Sequence, residues 1–166
     1  LSSSNAMRDI ASHYGCEYFH TAVGEMNVVK KMKEVNAVVG GEGGGGIIYP
    51  DLHYGRDALV GIALFLSLLV RKGTSVSNLK ENYPRYYMKK LKMSLDNSRL
   101  IDQVFEKIID KYSYLSPNTE DGVRIDFDNG WVHMRKSNTE PIVRIFSESD
   151  SQSKACLLYT SPSPRD

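Results

Sequence analysis

Residues 135–144 read Arg-Lys-Ser-Asn-Thr-Glu-Pro-Ile-Val-Arg. Two guanidinium groups, two hydroxyls, an amide and a turn-forming proline fall within ten residues, between two apolar segments. Arg135 can grip an oxyanion with two parallel N–H donors, and Ser137, Asn138 and Thr139 add donors within the same bend. Backbone N–H groups in such a turn can converge into a concave anion site. The competing reading is a polar hairpin loop with a surface arginine at each end.

A second segment with chemical potential lies upstream. Six of the seven residues Gly40–Gly46 are glycine, with Glu42 as the exception. Such backbone can approach a ligand closely, and a carboxylate can accept two neighbouring hydroxyls. No helix opens directly behind the run and no Lys-Ser or Lys-Thr follows it, so it is neither a dependable dinucleotide fingerprint nor a P-loop. Downstream, His53, Arg56 and Asp57 can face a cleft, although Asp57 is equally suited to cap a helix and a loop His can simply be exposed. Trp131, Tyr83, Tyr86 and Tyr87 read as core and hinge packing ahead of a stacking surface. No carboxylate pair nominates a general acid and base, and no nucleophile has an adjacent base.

The elements that must position these residues divide into two sets. Ser4 or Asn5 can cap a helix running to about Tyr14, with Ala6, Met7, Ile10 and Ala11 on its buried side. Tyr18–Thr21 reads as a strand, and Glu25–Glu34 as a helix with Met26, Val29 and Met32 or Lys33 at helical spacing. Ala37–Val39 and Ile47–Tyr49 read as strands flanking the glycine run. Asp57–Arg71 is a helix apolar on more than one face, and Ser77–Glu81 a short helix. This alternation predicts an α/β layer arrangement. Pro84 restricts Tyr83 and breaks any helix, so residues 83–87 read as a hinge. Beyond it the pattern predicts a strand at Tyr87–Ser94 and a helix at Ser98–Lys111 with Leu100, Ile101, Val104, Phe105 and Ile108 inward. Strands follow at 123–127, 131–134 and 142–146, the first two joined at Asn129-Gly130. That is a small α+β domain with an antiparallel sheet.

Composition limits the functions. The chain has 166 residues, 41% hydrophobic and 25% charged, which suits one ordinary domain or two small ones. A net charge of +1 provides no field for nucleic acid or an anionic membrane, so any anion site must be local. Cys16 and Cys156 form neither a ligand cluster nor a disulfide framework. The longest apolar run, Leu59–Val70, is too short to span a bilayer, and a cytoplasmic location is expected. The chain begins Leu1-Ser2-Ser3-Ser4, as if at the end of a strand. Residues 156–166 resemble one reading frame of a sequencing-library adapter; the alternative is a natural Ser/Pro tail, and no function is expected there in either case.

Arg135, Ser137, Thr139, Glu140, Pro141 and Arg144 match the phosphate-binding loop of the last domain of the α-D-phosphohexomutases. This superfamily comprises phosphomannomutase, phosphoglucomutase and phosphoglucosamine mutase. Residues 40–48, with Pro50, His53, Gly55, Arg56 and Asp57, resemble its sugar-recognition loop and the helix behind it. The resemblance covers about residues 1–150. It implies domain 3 in part over residues 1–82 and a TATA-binding-protein-like, truncated domain 4 over residues 88–155. It further implies that Arg135, Ser137, Asn138, Thr139 and Arg144 bind the non-reacting phosphate, and that Glu42, Gly44, His53 and Arg56 meet the sugar.

Where this chain has Gly44 the family usually has Ser or Asn, where it has Gly46 often His, and where it has Ala22 often Lys, so those contacts are absent or replaced. Val23-Gly24-Glu25 resembles a family segment near the substrate. Family enzymes move a phosphoryl group between the 1 and 6 positions of a hexose, using a phosphoserine and a Mg²⁺-holding Asp-rich loop in two other domains. Neither loop occurs here, so no catalytic residue and no metal ligand is expected in this chain. The resemblance thus implies the C-terminal part of a mutase, its partners being a phosphosugar and the N-terminal domains. A non-catalytic phosphosugar-binding module is the alternative. A nucleic-acid platform on the second sheet is disfavoured, because its strands are expected to lack a basic, aromatic face.

Overall fold

The computed structural model describes residues 1–94, 98–137 and 139–160, with the side chains at 98, 99 and 159 excepted. The chain divides into two compact units, Ser3–Pro84 and Arg85–Asp166, and Leu1–Ser2 join the second.

In the first unit, α1 spans Ala6–His13 and α2 spans Glu25–Val35. The Ser4 hydroxyl accepts from the Ala6 N–H, while Asn5 makes no side-chain cap. Three short strands follow, β1 Gly40–Gly41, β2 Ile47–Tyr49 and β3 His53–Arg56, paired antiparallel in that order. Helix α3 runs Ala58–Lys72, where the Asp57 carboxylate accepts from the Val60 N–H at 3.0 Å and Gly73 closes the end in a left-handed conformation. Helix α4 is Val76–Glu81, capped by Ser75. The core of this unit is small: Val28, Met32 and Ile48, with Val29 and Ala37 against them.

Several expectations differ here. Tyr18–Thr21 and Ala37–Val39 form no strand. An apolar run becomes a strand only where it joins a regular backbone ladder, and neither run belongs to a described sheet. The extra strand β3 falls in a stretch with no period-two alternation, because pairing to β2 supplies what the sequence pattern does not. Helix α1 has no buried residue and Met7 is exposed; in α2, Val28 and Met32 are buried and Met26 is exposed. Helix α3, apolar all round, leaves Leu59, Ile62, Phe65, Leu66 and Val70 exposed. No described helix is long and apolar enough to cross a membrane.

The second unit is a four-stranded antiparallel sheet, β4 Tyr87–Ser94, β5 Val123–Phe127, β6 Gly130–Lys136 and β7 Ile142–Ser149, in the order β4-β7-β6-β5. Helix α5 (Ser98–Lys111) and helix α6 (Gln152–Thr160) pack on one face. Val123, Ile125, Val132, Met134, Ile108 and Tyr112 form the core there, flanked by Val104, Phe105, Ile145 and Leu158. Leu100, expected inward, is exposed. Helix α6 continues through the first five residues of the adapter-like segment.

The opposite sheet face is polar yet largely buried. Trp131 is fully buried, donates from Nε1 to Glu148 Oε1 at 2.9 Å, and carries the Arg124 guanidinium 4.4 Å from its ring centroid. Arg124 also forks onto Asp126 and donates to the Leu1 carbonyl. Because residues directly opposite share a face, the register also brings Lys90, Lys92, Arg135, Arg144 and Phe146 here. The expected lack of a basic, aromatic face is therefore corrected. Each strand contributes only one to three such residues, and pairing alone gathers them. Trp131 is nonetheless packing, as read from the sequence, since no face of its ring is open for a base to stack on.

Candidate functional sites

Each unit carries one candidate site. In the first, Glu42 N–H donates to the Gly46 carbonyl at 3.1 Å and Gly45 N–H to the Glu42 carbonyl at 2.9 Å, closing the glycine segment into a tight bend. Gly45 has φ +90°, which favours glycine, and a Cβ on Gly41 would lie 2.6 Å from the Gly46 oxygen. The bend presents the Glu42 side chain, which accepts from Gly24 N–H at 3.2 Å and from Arg56 Nη1 at 3.3 Å. Arg56 is shared, since its Nε donates to Glu25 Oε2 at 2.8 Å and its backbone N–H to Glu25 Oε1 at 3.2 Å.

One arginine thus bridges two carboxylates. The stem of Arg56 lies across Gly46, where any Cβ would collide with its Cδ. Gly46 is therefore required as glycine for Arg56 to reach Glu42. Gly44 has nothing within 4 Å of its Cβ position.

His53 does not join Glu42. Its Nε2 lies 3.2 Å from Asp57 Oδ2 and its Nδ1 accepts from the Gly55 N–H. The Val60 N–H first, and then the His53 ring, hold the Asp57 carboxyl below its ordinary pKa. Asp57 is thereby a cap with a histidine attached. Glu25 was not singled out from residue chemistry alone; its only sequence signal is its place in the Val-Gly-Glu segment.

The second site is the β6–β7 loop. Ser137 N–H donates to the Ile142 carbonyl at 2.9 Å, so the loop closes directly on the strands. The Ser137 and Thr139 hydroxyls lie 3.5 Å apart, and Asn138 lies outside the described residues. Arg135 and Arg144 are direct cross-strand partners and point to one face. Like charges so placed repel, and each has a counter-charge: Asp121 Oδ2 lies 3.0 Å from Arg135 Nε, and Glu140 Oε2 accepts from Arg144 Nη2 at 2.6 Å. Among the described residues the Nε atoms of both arginines are buried without an aligned hydrogen-bond acceptor, despite the short approach of Asp121 to Arg135. Two orphaned donors on facing residues are unusual, since buried N–H groups almost always find an acceptor.

Asp121 was read from the sequence only as a turn residue. The turn fixes it: Gly122 has φ +77°, and a Cβ there would lie 2.8 Å from Arg135 Cα and collide with the Met134 carbonyl. Beside it, His133 is fully buried. Its Nε2–H must donate to the Asp121 carbonyl, 2.6 Å away, which leaves Nδ1 to accept from the Ser2 hydroxyl at 2.8 Å. Burial chiefly lowers the His133 pKa to about 4, which keeps this ring neutral.

Among the described residues no group of three or more His, Cys, Asp or Glu could hold a metal ion. The Mg²⁺ implied by the resemblance therefore finds no fitting donor set among the described residues.

Comparison with known proteins places both units in one family. The family described as phosphoglucomutase/phosphomannomutase, alpha/beta/alpha domain III, is matched over residues 1–86, and its C-terminal domain over residues 89–158. A phosphoglucomutase/phosphomannomutase of Thermococcus kodakarensis is 38% identical over 93% of this chain, and a phosphoglucosamine/phosphogalactosamine mutase of Sulfurisphaera tokodaii 35% identical over 93%. The chain spans 34% of the length of each.

A solved phosphoglucomutase/phosphomannomutase family protein of Burkholderia thailandensis superposes with a TM-score of 0.73 at 24% identity, over 92% of this chain and 32% of that one. At 14% identity and a TM-score of 0.61, over 94% of this chain and 38% of that one, the fold is also that of an Aspergillus fumigatus N-acetylphosphoglucosamine mutase solved with GlcNAc-6P and magnesium. The chain belongs to the phosphoglucomutase/phosphomannomutase family, of which it carries domain III and the C-terminal domain.

Proposed function

We propose that this chain is the sugar- and phosphate-gripping part of a phosphohexomutase that interconverts hexose 1-phosphates and 6-phosphates, with glucosamine or mannose phosphate as substrate. Arg135, Ser137, Asn138, Thr139 and Arg144 hold the phosphate that does not react. Glu42, with Arg56 attached, receives the sugar hydroxyls, and Gly44 and His53 line the same segment. The facing pair Arg135 and Arg144 carries this reading, because an oxyanion on that sheet face can accept from both guanidinium groups. Phosphoryl transfer is mostly positioning and charge neutralisation, so a grip on the distal phosphate orients the reacting end.

Calorimetry on the 166-residue chain with glucosamine 6-phosphate and mannose 6-phosphate tests this reading. Arg135→Ala should weaken binding at least ~100-fold, the scale of a lost charge-assisted fork. Unchanged affinity would remove the phosphate assignment. The enzyme's Mg²⁺ and phosphoserine belong, on this reading, to other domains, and the chain alone should show no turnover. A mutase assay with hexose 1-phosphate and Mg²⁺ separates a mutase part from an independently active enzyme. The alternative, a non-catalytic phosphosugar-binding module, rests on the lack of a metal-holding group among the described residues; it stands only if the parent protein is also inactive.

A further inference from the structure

We infer that Lys92, on edge strand β4, is a third cation of the phosphate site. The inference rests on the phosphate reading of the β6–β7 loop. In the register of the sheet, Lys92 lies directly opposite Arg144, and Arg144 directly opposite Arg135. Three cationic residues therefore stand in one row across β4, β7 and β6, on the same face, with neighbouring Cβ atoms about 5 Å apart by the geometry of antiparallel pairs.

The row lies two residues below the point where β7 enters the loop. It ends at an edge strand, where a long side chain is free to swing toward that rim. Lys92 is exposed, whereas Arg135 and Arg144 are partly buried.

The charge balance of the row gives Lys92 its role. Asp121 offsets Arg135 and Glu140 offsets Arg144. Lys92 has no acidic partner among the described residues. Like charges directly opposite one another destabilise a sheet, so a row of three with two counter-charges favours an added anion. Arginine forks fix an oxyanion's orientation, whereas a lysine ammonium acts as a point charge on a flexible stem. Lys92 thus supplies attraction to a doubly charged phosphate without dictating its geometry. Lys90 is a poorer candidate, because its ammonium sits 5.8 Å from the Phe146 ring centroid, two pairs further from the loop.

The test is calorimetric titration of the full 166-residue chain with inorganic phosphate at low ionic strength. Lys92→Met should weaken phosphate binding about tenfold, equal to about 1.4 kcal/mol. Lys92→Arg should restore it to within about twofold, and without phosphate Lys92→Met should unfold no lower than the parent chain. Lys92→Gln serves if the methionine variant precipitates.

Wild-type affinity in Lys92→Met, alongside lost affinity in Arg135→Ala, would overturn the role of Lys92 and leave the loop assignment standing. Equal weakening by Met and Arg would also overturn it, since packing of β4 rather than charge would then matter. Failure of the parent chain to bind phosphate would remove both readings.

Discussion

The two candidate sites solve opposite electrostatic problems on scaffolds of different stiffness. The glycine segment is held by strands of two, three and four residues and presents carboxylates, Glu42 and Glu25, bridged by one Arg56. The β6–β7 loop sits on strands of seven and eight residues over a continuous core and presents arginines, each with its own carboxylate. In the first site side chains position one another; in the second, sheet register does. Acceptors suit sugar hydroxyls and fixed donors suit phosphate, so each region's chemistry matches its means of support. The glycine segment should therefore tolerate backbone change that the loop site does not.

The largest contrast should come from glycine itself. Gly122→Ala forces a side chain onto a residue with φ +77° and into the Met134 carbonyl and the Arg135 backbone. Relief requires moving Asp121 or the β5–β6 ladder, at a cost of about 3 kcal/mol in unfolding free energy. Urea unfolding should show this loss, and phosphate affinity should fall with it because Asp121 and Arg135 shift together. A wild-type midpoint would show that register does not hold this site.

That dependence explains what was legible in the sequence. Alternation in Val123, Ile125 and Phe127 and the Asn129-Gly130 turn identified β5 and β6, because both signals are local. Arg135 and Arg144 are legible as a candidate anion-binding pair from spacing and residue type. Their counter-charges were less so: Asp121 is a neighbour of Arg135 only through the ladder, and Lys92 of Arg144 only through register. The first unit was harder to read. The runs at 18–21 and 37–39 carry strand-like residues but join neither described sheet, and the exposed apolar face of α3 shows a helix whose pattern exceeds what the described residues bury.

A second contrast is in pH. The buried His133 ring has its pKa lowered to about 4 from an ordinary 6.5, so the unfolded chain binds a proton that the folded chain refuses. The stability this contributes is complete above about pH 6.5. It is lost as pH falls toward 4, at up to about 1.4 kcal/mol per pH unit. His133→Gln retains a donor for the Asp121 carbonyl and should flatten the slope in that window. A parent chain whose unfolding midpoint is level from pH 7 to 4.5 would contradict the burial of this ring.

A smaller effect is expected at Gly46. Alanine there displaces the Arg56 stem, a flexible group, so folding should be little altered while the Arg56–Glu42 contact breaks. Glucosamine 6-phosphate affinity should change by a few-fold, and inorganic phosphate affinity, which reports the other unit, should not. Loss of both affinities would mean that the two sites are not supported separately.

The smallest effect should be at Gly44, two residues away. Its Cβ position is open, and its φ lies outside the left-handed region where side chains are strained. Gly44→Ser should therefore leave unfolding free energy within about 0.5 kcal/mol of the parent chain, as for an ordinary surface change. A serine at this position adds a hydroxyl beside Glu42 without moving the bend. If sugar hydroxyls approach this segment, affinity for glucosamine 6-phosphate should rise while affinity for inorganic phosphate stays fixed. A rise in both, or in phosphate alone, would place the sugar elsewhere and leave Glu42 and Arg56 as an ion pair that merely closes the bend.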